Sequence, residues 1–188
     1  MMTRPSILLI DDSPGERELF RLALAQTGLD VTLYAEQDTE AAFRFLESQW
    51  TAPAVVPLRA SNEALLRARV ARAQDHAGVV YSEPSASTET MPVTSPSLPS
   101  LILLDLNLRG QNGCDLLKRL RSDDRFAALP VVIFTTSDDP NDLADSYSCG
   151  TNGYVVKPGS FDALIHCTGD LCRYWLTWNR PSMSDTAC

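Results

Sequence analysis

The chain's 188 residues are 44% apolar, enough to bury one good core with an appendage. Its 24 acidic residues outweigh 16 basic ones, and the net charge of −8 argues against non-specific binding to nucleic acid or anionic membranes. No run approaches transmembrane length, and the N-terminus lacks the apolar stretch and cleavage site of a signal peptide, so a cytoplasmic protein with no membrane association is expected.

In chain order, Ile7-Leu-Leu-Ile10 reads as a short buried strand that ends in charge, at Asp11 and Asp12. Ser13-Pro14-Gly15-Glu16 has the form of a capping box with Pro at the first helical position. The helix it opens carries a stripe of Leu19, Phe20, Ala23 and Leu24, with Gly28 as terminator. Val31 to Ala35 is a second strand. Asp38 caps a helix bearing Ala42, Phe45 and Leu46 and reaching Gln49.

Composition then changes. Residues 51–99 hold six of the twelve prolines and many Ser, Thr and Ala, and form a long Pro/Ser-rich insertion. It contains one helical island, about 61–76, and a stretch from Ser82 to Pro99 that reads as loosely held. A tolerated surface insertion and a partner-binding amphipathic helix are both open readings of it.

Leu101-Ile-Leu-Leu104 is a third strand, buried on both faces, and Asp105 stands at its end. Asn112 or Gly113 opens a helix with Leu116, Leu117 and Leu120. Pro130 to Thr135 is a fourth strand ending in hydroxyls, Thr135 and Thr136. Asp138 or Asp139 followed by Pro140 caps a poor, polar helix running towards Cys149. Tyr154-Val-Val-Lys157-Pro158 is a fifth strand with a lysine at its end. The last helix starts near Ser160 and carries Phe161, Leu164, Ile165, Leu171, Cys172 and Trp175. Gly169 interrupts it, at a cost of about 1 kcal/mol relative to Ala. Residues 1–178 thus form one interrupted domain, and 179–188 a polar tail with no DNA-reading module after Trp178. The five cysteines (114, 149, 167, 172, 188) include no Cys-x-x-Cys and read as small buried hydrophobes. His76 and His166 stand alone.

Strands alternating with helices imply an α/β, doubly wound parallel sheet with right-handed crossovers. Ligands of such sheets sit outside the carboxyl ends of the strands. There Asp11, Asp12, Asp105, Thr135 and Lys157 would converge. Three carboxylates that close repel one another, and a hard divalent cation relieves the conflict; oxygen ligands with open water positions suit Mg²⁺. Lys157 neutralises what remains and can reach an incoming anion, so the expected guest is a phosphoryl group.

These residues resemble the receiver domain of bacterial two-component response regulators. The Asp-Asp pair, the Asp ending the third strand, the Thr 30 residues on and the Lys-Pro 52 residues on stand in that family's order. The resemblance implies a flavodoxin-like sheet of order 2-1-3-4-5 and makes Asp105 the phosphoacceptor. Asp11, Asp12 and the Asn107 backbone carbonyl would join Asp105 in binding Mg²⁺. Thr135 would bond a phosphoryl oxygen, and Lys157 would pair with the phosphate and hold a cis bond to Pro158. Thr135 and Tyr154 would form the switch, reshaping the face of the fourth helix, fifth strand and fifth helix. Asn107 and Ser137, two residues beyond Asp105 and Thr135, are weak bases and imply a phosphoryl lifetime of minutes or longer. Leu108-Arg109-Gly110 stands where the family commonly has Met-Pro or Leu-Pro, a departure that touches the loop and not the acceptor.

Within the family, Leu101–Leu108, Phe134–Pro140 and Arg173-Tyr174-Trp175 look like the small regulators paired with bacterial and cyanobacterial phytochromes. That likeness implies a single-domain protein receiving phosphate from a light-regulated histidine kinase. It also implies a homodimer, with Tyr174, Trp175 and Trp178 as contact candidates; core packing serves Trp175 equally well. A receiver assists its own phosphorylation but is not an enzyme in the ordinary sense. Two competing readings are a phosphate-independent interaction scaffold and an Asp-nucleophile phosphohydrolase of the haloacid dehalogenase type. The latter expects an acid two residues after the nucleophile, where this chain has Asn107.

Overall fold

The computed structural model describes residues 4–50 and 98–180. Backbone contacts divide the chain into two units, residues 1–50 with 96–188 and residues 51–95. The second unit, including the helix expected at about 61–76, lies outside the described residues, as do residues 181–188 of the tail.

Five parallel strands form the sheet: β1 (Ser6–Ile10), β2 (Thr32–Glu36), β3 (Leu101–Leu104), β6 (Val131–Thr135) and β7 (Gly153–Val156). Their order is β2-β1-β3-β6-β7, which is the expected 2-1-3-4-5 once a two-stranded hairpin, β4 (Asn107–Leu108) and β5 (Gln111–Asn112), is set apart. β1, β3 and β6 are buried along their whole length, as continuous apolar runs in a sheet covered on both faces must be.

Alternate strand residues feed two cores. Leu8, Ile10, Ile102, Leu104, Val131 and Ile133 face α2 (Thr39–Gln49) and α3 (Gly113–Arg121). Ile7, Leu9, Leu101, Leu103, Val132 and Phe134 face α1 (Pro14–Gln26) and α5 (Phe161–Arg173). The remaining helix, α4 (Pro140–Ser148), contributes only Ser146 to the interior. No helix among the described residues is long and apolar enough to cross a membrane.

Several expected core positions move. Leu19 is 42% exposed, so the stripe of α1 is Phe20, Ala23 and Leu24. Phe43, and not Phe45, enters the core from α2, where it stands edge-on to Phe126; Phe45 lies partly buried beside Tyr34. Phe161 at the first turn of α5 is exposed. Leu98 and Pro99, which composition assigns to the insertion, are already packed, and the Ser100 amide bonds the Ser6 carbonyl. Gly169 does not break α5. It lies buried where that helix passes the end of α1, and a Cβ there would meet Thr27 and Arg173 only at ordinary contact distance, 3.6 Å, so packing does not demand the glycine. Past Arg173 the chain widens into a π-helical turn, Tyr174–Trp178.

Candidate functional site

The register of the sheet assembles the site. Ile10 pairs with Leu104, so the next residue on each strand, Asp11 and Asp105, emerges side by side; the Asp105 amide donates to the Ile10 carbonyl at 2.9 Å. Thr135 ends β6 opposite Val156, and the amide of Lys157 donates to the Thr135 carbonyl at 2.7 Å. Pattern alone placed these groups at strand ends; the pairing puts them on one edge.

Lys157 is the hinge of the arrangement. Its Nζ lies 2.6 Å from Asp11 Oδ2 and 2.9 Å from Asp105 Oδ2, with Glu16 further off at 3.9 Å. All three central side chains are almost fully buried. Burial pushes the lysine's pKa down, but the hydrogen bonds to Asp11 and Asp105 more than offset it and the net direction is up. The other oxygens are tied by backbone: Asp11 Oδ1 accepts from Ser13 N at 2.8 Å and Asp105 Oδ1 from Asn107 N at 3.2 Å. The cap of α1 is therefore only half a capping box. Ser13 Oγ accepts from Glu16 N, but the Ser13 amide is taken by Asp11, which leaves the Glu16 side chain turned towards Lys157. The expected cis bond at Lys157–Pro158 is not present: all peptide bonds among the described residues are trans, and the lysine reaches both acids without it.

Asp12 departs from the expected cluster. Its carboxylate meets Arg109 Nε at 3.1 Å, and among the described residues no three His, Cys, Asp or Glu side chains close on one point as metal ligands. Two of the three expected carboxylates are together; the third is turned aside. The donor set still fits a hard divalent cation. Two buried carboxylates against one ammonium leave one negative charge uncompensated, a costly arrangement in a low-dielectric site, and a further partly exposed carboxylate is one residue away.

Thr135 is fully buried and its hydroxyl accepts from the Ser137 amide at 3.4 Å. Tyr154 packs half-buried at the edge of the core under α2 and α3, its hydroxyl donating to the Ser137 carbonyl at 2.9 Å. Burial, with the field of Asp142, Asp139 and Asp138, holds the phenol above its ordinary pKa. Thr135 and Tyr154 thus both touch Ser137. The aromatic candidates for a dimer contact separate: Tyr174 and Trp178 are 55% and 75% exposed, whereas Trp175 packs against the core beside Gly153.

One positioning residue escaped the sequence reading. A Cβ on Gly113 would sit 2.5 Å from the Asp105 carbonyl oxygen and 3.1 Å from the Leu106 Cα, so α3 can start directly behind the Asp105 loop only with glycine there. The signal available was a glycine at a first helical position, where other residues serve as well.

The sequence model of the response regulator receiver domain matches residues 58–168, more than half of the chain and inclusive of Asp105, Thr135, Tyr154 and Lys157; Asp11 and Asp12 lie ahead of the matched stretch. A probable methanogenesis regulatory protein, FilR2 of Methanothrix harundinacea, is 42% identical over 84 residues, which are 45% of this chain and 54% of that one. The chain thus spans about half of that relative's length. Response regulator Rcp1 of Synechocystis is 25% identical over 90% of this chain and 88% of its own. Rcp1 has a crystal structure in a Mn²⁺-bound form, 24% identical with a TM-score of 0.63 over 95% of this chain and 99% of that one. The phosphorylated cyanobacterial phytochrome response regulator RcpA superposes at a TM-score of 0.65, 22% identical, over 96% of this chain and all of its own. With a five-stranded sheet of receiver order and a family match over most of its length, the chain belongs to the response regulator receiver domain family.

Proposed function

We propose that this chain is a phosphoacceptor switch in which Asp105 takes a phosphoryl group from a histidine kinase. The observation that carries the reading is the single buried ammonium of Lys157 shared between Asp11 and Asp105, a pocket left one positive charge short. Asp105 supplies the carboxylate oxygen that attacks phosphorus in line. The new O–P bond forms as the N–P bond of phosphohistidine breaks, and the imidazole departs with the electron pair and takes up a proton. Mg²⁺, held by Asp11, Asp105, Asp12 and the Asn107 carbonyl, would supply charge neutralisation for the transferring oxygens. The Rcp1 structure with Mn²⁺ supports a divalent cation here. Lys157 exchanges its bond to Asp105 for one to the incoming phosphoryl.

The acyl phosphate adds charge and three acceptor oxygens at the sheet edge. Thr135 turns its hydroxyl to one of them. Because Ser137 is bonded to Thr135 through its amide and to Tyr154 through its carbonyl, that turn reaches Tyr154 and the start of α4. The face of α4, β7 and α5 carries the output to another protein. Exposed Tyr174 and Trp178 would serve a homodimer on that side, and the likeness to the cyanobacterial phytochrome response regulator RcpA supports a phytochrome-type kinase as the donor. The chain is a switch and not a turnover catalyst, acting in the cytoplasm with its kinase, and lacking strong bases at Asn107 and Ser137 it holds its phosphate for minutes or longer.

Incubation with a small-molecule phosphodonor and Mg²⁺ tests this directly. Intact-mass measurement should show one acid-labile phosphate per chain, absent from Asp105→Asn. Repeated turnover of phosphate esters, or incorporation that survives in Asp105→Asn, would defeat the proposal.

A further inference from the structure

Arg109 occupies the tip of a hairpin that holds it over the metal-side acid. The chain reverses at Arg109-Gly110, with Leu108 paired to Gln111 and Gly110 at φ +70°. Both feet of the hairpin are pinned. Leu108 is 4% exposed in the core under α2 and α3, and Gln111 Oε1 accepts from the amide and the hydroxyl of Thr39 at 3.1 and 2.7 Å. The two strands of the hairpin are therefore held, and the arginine side chain projects from its tip. That side chain is 86% exposed and its Nε reaches Asp12 Oδ2 at 3.1 Å across an open cleft of about 440 Å³, shared with Asp38, Glu40, Arg44 and Gln111.

We propose that Arg109 is a built-in competitor for the divalent cation: its guanidinium holds Asp12 in the metal-free chain and must swing away before that carboxylate can act as a ligand. The proposal rests on the cation-dependent phosphoacceptor reading above. It gives Arg109 a role in setting how tightly the cation is held, because a carboxylate cannot serve the guanidinium and a metal in the same geometry. The arginine is exposed and Asp12 only partly covered, so the pair's hold is modest and is screened by salt. Screening of the pair therefore narrows the arginine's effect on cation affinity as ionic strength rises.

The experiment is calorimetric titration of the full chain with MgCl₂, with no phosphodonor present. Arg109→Gln should tighten the Mg²⁺ dissociation constant by about 2- to 5-fold at low salt, the range an exposed ion pair allows, and the difference should shrink in high salt. Arg44→Gln removes the same charge from the same cleft without touching the pair and should tighten binding less. In an Asp12→Asn background, adding Arg109→Gln should change nothing further. Unchanged or weaker binding in Arg109→Gln overturns the proposal, and so does an equal gain in Arg44→Gln, which would reduce the effect to a general field. Measurable Mg²⁺ binding by the unsubstituted chain with no response to Arg109→Gln sinks this inference alone; no Mg²⁺ uptake by either protein sinks it together with the phosphoacceptor reading.

Discussion

Helices α3 and α4 are both nine residues long and lie side by side, yet they are held in opposite ways. A helix that short is not stable in water by itself, so something outside it must hold it. α3 buries Cys114, Leu116, Leu117 and Leu120, and ends in Lys118, Arg119 and Arg121, which suit the negative end of its dipole. Arg121 also donates to the carbonyls of Gly150, Ala127 and Leu129 and to the Asn152 side chain, at 2.8–3.0 Å. α4 has no basic residue in its last turn, leaves Leu143 and Tyr147 exposed, and buries only Ser146. Its hold is polar: the Asp139 cap, Ser137 Oγ on Asp142 at 2.6 Å, and Tyr154 on the Ser137 carbonyl. The difference separates two tasks. α3 is the fixed wall behind Asp105, while α4 is attached by bonds that can be exchanged one at a time, which is what a moving element requires.

The largest test sets one helix against the other by truncation. Leu117→Ala removes a fully buried side chain from α3 and should cost about 2–5 kcal/mol in urea unfolding. Leu143→Ala, at a 40% exposed position of α4, should stay within about 0.5 kcal/mol. Comparable losses would mean that α4 is packed as firmly as α3 and is no candidate for motion.

A gentler cut goes to the polar hold itself. Tyr154→Phe keeps the ring and deletes the hydroxyl that bonds the Ser137 carbonyl, a loss of about 1 kcal/mol for one hydrogen bond. Hydrogen exchange should then quicken roughly fivefold along α4 and leave α3 unchanged. Equal acceleration in both helices would make Tyr154 a general core residue and remove it from the switch.

Much of this contrast was legible in the sequence. The apolar periodicity of α3 and the polar run from Asp138 to Cys149 predict one well-packed and one weakly packed helix, and four strand ends predict where the acids, the threonine and the lysine emerge. What escaped was partner choice, which depends on geometry across the chain. Nothing in the one-dimensional pattern says that Asp12 turns to Arg109, that Phe43 displaces Phe45 from the core, or that Tyr154 is bonded to Ser137, 17 residues before it. The trans bond at Lys157 and the glycine under Asp105 are likewise matters of three-dimensional fit.

The smallest expected effect lies in the seam between the two helices. Cys114 Sγ is 3.8 Å from the Asp145 carbonyl of α4, and burial, reinforced by the neighbouring Cys149, pushes its pKa from 9.0 up to about 12. A thiol whose pKa is raised in the folded chain adds stability that is fully present below the unfolded value and disappears as pH climbs towards the folded one. Unfolding midpoints should therefore decline once pH passes about 9, since the unfolded thiol ionises there and the folded one does not. Cys114→Ala lowers the midpoint at every pH by loss of packing, so the informative quantity is the slope, which should flatten above about pH 9. It should not vanish, because Cys172 in α5 is buried and pushed up to about 11 and contributes with the same sign. An unaltered slope in Cys114→Ala would show that the α3–α4 seam opens enough for water to reach the thiol, and the firm wall assigned to α3 would have to end before its first turn.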